Sequence, residues 1–93
     1  MTTELLERIR RAADALRERG AREFYLFGSA ATGRLRQDSD IDMAVSGLPP
    51  ELFFEAMGDA REALMKPLDL IDLDEDNLFT RYLKKKGELQ RVG

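Results

Sequence analysis

Asp40-Ile41-Asp42-Met43-Ala44-Val45 sets two carboxylates at the head of an apolar run, and that combination narrows what the chain can fold into. The run reads as a β-strand. Side chains two apart on a strand share a face, so Asp40 and Asp42 point the same way, a few ångströms apart. Asp is disfavoured in strands and like charges repel, so a bound divalent cation accounts for the pair. Upstream, Phe24-Tyr25-Leu26-Phe27 reads as a buried strand ending in Gly28-Ser29. Such a small-residue turn lets backbone N–H groups approach a phosphate. Metal together with phosphate indicates nucleotide chemistry.

The remaining segments supply a frame for that site. Residues 3–19 carry Leu5, Leu6, Ile9, Ala12, Ala13 and Leu16 at helical spacing. Glu4 and Glu7 suit the helix dipole in the first turns, and Gly20 is a natural stop. Strands are predicted at 22–27, 41–46 and 67–73, with Pro67 at the first position of the third, where a missing N–H is tolerated. Residues 28–39 form the turn and a short polar connection that can be helical. Gly47-Leu48-Pro49-Pro50 breaks the chain before a helix over 51–65, patterned by Leu52, Phe53, Ala56, Met57, Ala60 and Leu64. Gly58 inside it costs about 1 kcal/mol relative to Ala, so a packing reason is expected. Asp74 to Asn77 form a turn, with Asp76 or Asn77 capping a last helix over 78–89. That helix is expected to turn Leu78, Phe79, Tyr82 and Leu83 inward, with Leu89 a further candidate. The order α-β-(short α)-β-α-β-α predicts an α/β fold in which a small sheet is covered by helices, forming one domain over residues 1–93.

Composition excludes several chemistries. The chain has no cysteine and no histidine, which removes disulfides, thiolate or imidazole zinc sites, Ser–His nucleophiles and imidazole acid–base catalysis. Any metal must be held by oxygen, which favours magnesium, manganese or calcium. A net charge of −3 argues against general nucleic-acid affinity. The charge is uneven. Asp69, Asp72, Asp74, Glu75 and Asp76 precede Arg81, Lys84, Lys85, Lys86 and Arg91, among which Glu88 is the only anion. This reads as a solvated helix face behind an acidic loop, or as a mixed binding surface. No apolar stretch reaches membrane-spanning length, and Met1-Thr2-Thr3-Glu4 lacks the basic start and apolar run of a signal peptide, so a cytoplasmic protein is expected. At 93 residues there is little room for both a nucleotide site and a deep acceptor site. A partner, or a homo-oligomer, is expected to complete it.

Two motif matches fail. Gly28 to Gly33 has the G-x-x-x-x-G spacing of a P-loop, but Arg34 and Leu35 stand where Lys and Ser/Thr are required. Asp72-x-Asp74-x-Asp76 imitates the opening of an EF-hand, but Asn77 replaces the required Gly and Leu83 the bidentate Glu. The third match holds. Gly28-Ser29, ten residues, then Asp40-x-Asp42, set between two strands, resembles the signature of the polymerase-β-like nucleotidyltransferases, and the whole chain resembles their minimal members, the MNT proteins. The residues that carry the resemblance are Phe27-Gly28-Ser29-Ala30-Ala31-Thr32-Gly33 and Asp38-Ser39-Asp40-Ile41-Asp42-Met43-Ala44-Val45. The family's third carboxylate lies on a neighbouring strand in an apolar-Asp-apolar context, and Asp69 in Leu68-Asp69-Leu70 matches it. Asp72, on the opposite strand face, is expected to cap the strand end. One departure stands out. Relatives often carry Arg or another long polar residue after the Gly-Ser pair and before the second Gly, where this chain has Ala30 and Thr32. Either a phosphate contact is lost, or Arg34 or Arg36 replaces it.

The resemblance implies a small polymerase-β-like fold, a short mixed sheet flanked by helices. It also implies Mg²⁺-dependent transfer of a nucleoside monophosphate, AMP from ATP or another NTP, to a hydroxyl, with release of pyrophosphate. Asp40 and Asp42 would hold one Mg²⁺ on the triphosphate. Asp69 would join them around a second beside the acceptor and take its proton, while Gly28 and Ser29 would hold phosphates. Minimal members typically act as antitoxins beside a HEPN-type toxin, which implies transfer to a tyrosine of that partner. Tyr25 and Tyr82 of the chain itself are better explained as core or helix-face residues. The rival expectation is a non-catalytic module that grips a nucleotide or a toxin sterically. Transfer to a small molecule is a third, although such relatives usually carry an extra helical domain.

Overall fold

In the computed structural model, which describes residues 2–33, 40–86 and 89–92, helix α1 runs Thr3–Glu18. Its N-terminus is closed by the Thr2 hydroxyl, which accepts from the Leu5 N–H at 3.1 Å. Its buried residues, Ile9, Ala12, Ala13 and Leu16, recur at helical spacing. The chain leaves through Gly20 at φ 113°, a conformation glycine adopts without Cβ strain. Strand β1, Glu23–Phe27, leads into a single helical turn, α2, Ser29–Thr32. Strand β2 is Ile41–Ser46. A 3-10 turn at Pro50–Leu52 opens α3, Phe53–Leu64. Strand β3 is Leu68–Asp72, α4 is Leu78–Lys86, and a two-residue strand β4, Gln90–Arg91, ends the described chain.

The four strands form one mixed sheet in the order β3-β2-β1-β4. β1 is antiparallel to β2 and β4, whereas β2 and β3 are parallel, joined by a crossover that carries α3. Strand alternation assigns the two faces. Phe24 and Leu26, Ile41, Met43 and Val45, and Leu70 pack with the buried faces of α1 and α3 in the main core. Alanines at the helix contact, Ala12 and Ala13 on α1 and Ala56 and Ala60 on α3, allow close approach. Arg19 ties the two helices at the rim, donating to Glu55 and Asp59 at 2.9 Å each. The opposite face carries a smaller cluster of Phe27, Ala44, Leu73 and Leu83, with Tyr25, Ile71 and Leu89 against it. Leu83 of α4 packs there against the sheet.

Several expectations are corrected. Gly58 shows no packing reason, because among the described residues nothing outside its own helix backbone lies within 4 Å of where its Cβ would stand. The last helix is described over Leu78–Lys86 and does not include Leu89, and Gln90–Arg91 pairs with Tyr25 and Leu26 as an edge strand that is too short to announce itself by alternation. In α4 only Thr80 and Leu83 are buried, while Leu78, Phe79 and Tyr82 are exposed. The reason is the cap. The Asn77 side chain accepts from the Thr80 N–H at 2.9 Å, and the Thr80 hydroxyl donates to the Glu75 carbonyl at 2.6 Å. This reciprocal cap pulls Thr80 into the interior and rotates Leu78 out. Arg34 to Ser39, including Arg34 and Arg36, lie outside the described residues.

Candidate functional site

The site is built on three adjacent strand ends. Phe27 on β1 pairs with Asp42 on β2, and Asp42 pairs with Asp69 on β3. Residues directly opposite across a ladder project on the same face, so Phe27, Asp42 and Asp69 form one row on the α4 side of the sheet. Asp40 precedes β2 by one residue and stands two positions before Asp42. Asp40 and Asp69 are exposed and Asp42 is half-buried. Burial, then the neighbouring charge of Asp69, then that of Asp40, push the Asp42 carboxyl above the ordinary carboxylate range. Asp42 therefore feels the charge of both other carboxylates predicted from the sequence.

Gly28 closes the fourth side. It adopts φ 65° and ψ −142°, open to glycine and strained for other residues. A Cβ there would stand 2.5 Å from Asp42 Oδ2. The glycine thus leaves room for the carboxylate itself, a demand invisible in the motif. Ser29 opens α2 and is half-buried, with Ala30 buried behind it. The Thr32 hydroxyl turns back on its own helix, toward the Gly28 and Ser29 carbonyls at 3.4 and 3.3 Å. Ala30 and Thr32 thus extend no long polar group over the site.

The other acidic residues have separate work. Asp72 Oδ1 accepts from the Asp74 N–H at 2.9 Å, closing the turn after β3. Asp74 accepts from the Gly47 N–H at 2.6 Å and from the Ser46 hydroxyl at 3.1 Å. Asp76 is bidentate with Arg81, an exposed pair of the kind that adds little to stability. Tyr25 is half-buried and donates its hydroxyl to Glu23 at 2.6 Å. Phe79, which periodicity alone would send to the core, stands at the border of the row, its ring edge-to-face with Phe27 at 5.9 Å. Only the tertiary contact distinguishes it.

The donors are all carboxylate oxygen, the chemistry a hard divalent cation requires, and the missing side chain of Gly28 leaves the Asp42 carboxylate its place. Among the described residues no three acidic side chains already stand in a closed ligand cluster.

The polymerase beta nucleotidyltransferase family model matches residues 13–89. The chain belongs to that family. The nucleotidyltransferase domain has the fold of a solved minimal nucleotidyltransferase, with TM-score 0.74 and 21% identity over 100% of this chain and 96% of the other. It is also similar to a chain in a crystal structure of a toxin–antitoxin with AMP-PNP, with TM-score 0.70, 25% identity, and 92% of this chain and 70% of that one covered. A structure of tri-AMPylated Shewanella oneidensis HEPN toxin in complex with MNT antitoxin contains a chain of the same fold, with TM-score 0.66 and 22% identity over 94% of this chain and 70% of the other. No curated protein matches the domain. Among its described residues, no helix is long and apolar enough to cross a membrane.

Proposed function

We propose that this nucleotidyltransferase domain transfers AMP from ATP to a tyrosine hydroxyl of a HEPN-type toxin, and so acts as its antitoxin in the cytoplasm. The observation that carries the reading is the in-register pairing of Asp42 with Asp69 beside a glycine whose missing side chain makes room for the Asp42 carboxylate. The likeness to chains solved with a HEPN toxin and with AMP-PNP supports the partner and the nucleotide.

Asp40 and Asp42 would hold one Mg²⁺, and Asp69 would join them in holding a second. Bound there, Mg²⁺ would neutralise phosphate charge and acidify the acceptor hydroxyl. Asp69 takes the hydroxyl proton. The acceptor oxygen then attacks the α-phosphorus, a new P–O bond forms, and the bond to the pyrophosphate oxygen breaks. Gly28 and Ser29 hold the β- and γ-phosphates through backbone N–H groups and the Ser29 hydroxyl. Positioning and charge neutralisation supply most of the rate in such a site.

A second reading draws on Ala30 and Thr32 and on the open arrangement of the carboxylates. In it the domain binds its partner sterically and catalyses nothing. Labelled ATP, Mg²⁺ and the HEPN-type partner separate the two. Label on the partner that disappears with Asp69→Asn and with Asp40→Asn supports transfer. A tight complex formed by wild type and variants alike, without label, supports steric binding.

A further inference from the structure

We propose that the ring of Phe79 is the platform on which the base of the bound nucleotide stacks. The inference rests on the nucleotidyltransferase reading above and extends it from the phosphates to the base. Phe27 is buried and lies in the same row as Asp42 and Asp69. Phe79 meets it edge-to-face, 5.9 Å between centroids at 67°, so Phe79 is one ring contact from the carboxylate row. Such a contact engages at most one face of the Phe79 ring, and the residue remains 46% exposed. A half-exposed aromatic ring steadied by a buried neighbour offers π-surface that any nucleobase can cover.

The surroundings orient the nucleotide. Phe79 also borders a groove of about 380 Å³ that runs round the β3 edge, past Ile71, Asp72, Glu75 and Asn77, to Pro50, Phe53 and Phe54 on the α3 side, within the range of small-molecule sites. Asp72 and Glu75 repel a polyphosphate from this groove but not an uncharged base. Gly28 and Ser29 lie beyond the end of β1, whereas Ile71 lies further into the sheet than Asp69. The anionic end and the base therefore fall on opposite sides of the Asp42–Asp69 pair along the strand direction. That is the extended placement which presents the α-phosphorus to the carboxylates.

The test titrates the full chain, wild type, Phe79→Ala and Phe79→Trp, with ATP and with inorganic tripolyphosphate, each with Mg²⁺. Phe79→Ala is expected to weaken ATP roughly tenfold while leaving tripolyphosphate within about twofold, and Phe79→Trp to restore ATP binding. Equal loss of both ligands overturns the proposal, since a structural role would produce it. So does unchanged ATP binding by Phe79→Ala, including the case in which the variant instead loses its protein partner. Wild-type chain that binds neither ligand removes the nucleotide reading as well.

Discussion

Gly28 and Asp42 show how much of the site rests on single atoms. Gly28→Ala places a methyl 2.5 Å from Asp42 Oδ2 in a backbone region that costs non-glycine residues roughly 1–3 kcal/mol. The variant should lose about that much stability in denaturant titration and should fail to bind ATP with Mg²⁺. At Asp42 the sign follows from linkage. Its carboxyl titrates above the ordinary value in the folded state, chiefly through burial and then through Asp69 and Asp40, so the unfolded chain ionises more readily. Ionisation of Asp42 therefore costs stability, fully once pH exceeds the raised folded value and not at all below the ordinary carboxylate range. Asp42→Asn should melt higher than wild type at neutral pH without metal, and the gap should close on acidification through that range. A gap independent of pH would overturn the electrostatic account.

At the level of elements, α3 and α4 depart from periodicity in opposite ways. Gly58 sits in α3 with open space around its missing side chain, so the helix carries glycine's conformational cost without a contact in return. Gly58→Ala should stabilise the fold by about 1 kcal/mol, seen as a rise in denaturant midpoint at unchanged slope. In α4 the apolar residues Leu78 and Phe79 suggest an inward face, yet the Asn77–Thr80 cap sets the helix rotation and buries a threonine. Strand β4 likewise owes its existence to the free edge of β1, since the Val92 N–H bonds to the Phe24 carbonyl at 2.9 Å.

For the whole molecule, the two sheet faces divide the labour. One is sealed by α1 and α3 and holds the main core, while the other carries the smaller cluster under α4 and the carboxylate row at one end. A domain of this size has only modest stability, so ligand binding should show plainly in its melting. Mg²⁺ with ATP at a hundredfold excess over Kd adds about 2.7 kcal/mol, which raises Tm by roughly ten degrees or more for a domain of this length. Neither component alone should do so fully, and Asp40→Asn should abolish the shift. A melt indifferent to both ligands would argue against a working site.

Sequence alone sufficed for the three main strands, the two long helices and the spacing that matches the family, because each is written in a local period or a local motif. The alternation that sets Asp40 and Asp42 two apart is local, although β2 itself begins only at Ile41. Asp69 was nominated by its apolar context and by family likeness, yet its place beside Asp42 depends on the parallel register of β2 and β3. That register, the collision that reserves position 28 for glycine, the rotation of α4 and the contact between Phe27 and Phe79 arise between segments distant in sequence. Such contacts are chosen by packing and hydrogen-bond satisfaction across the whole fold, and no local pattern encodes them.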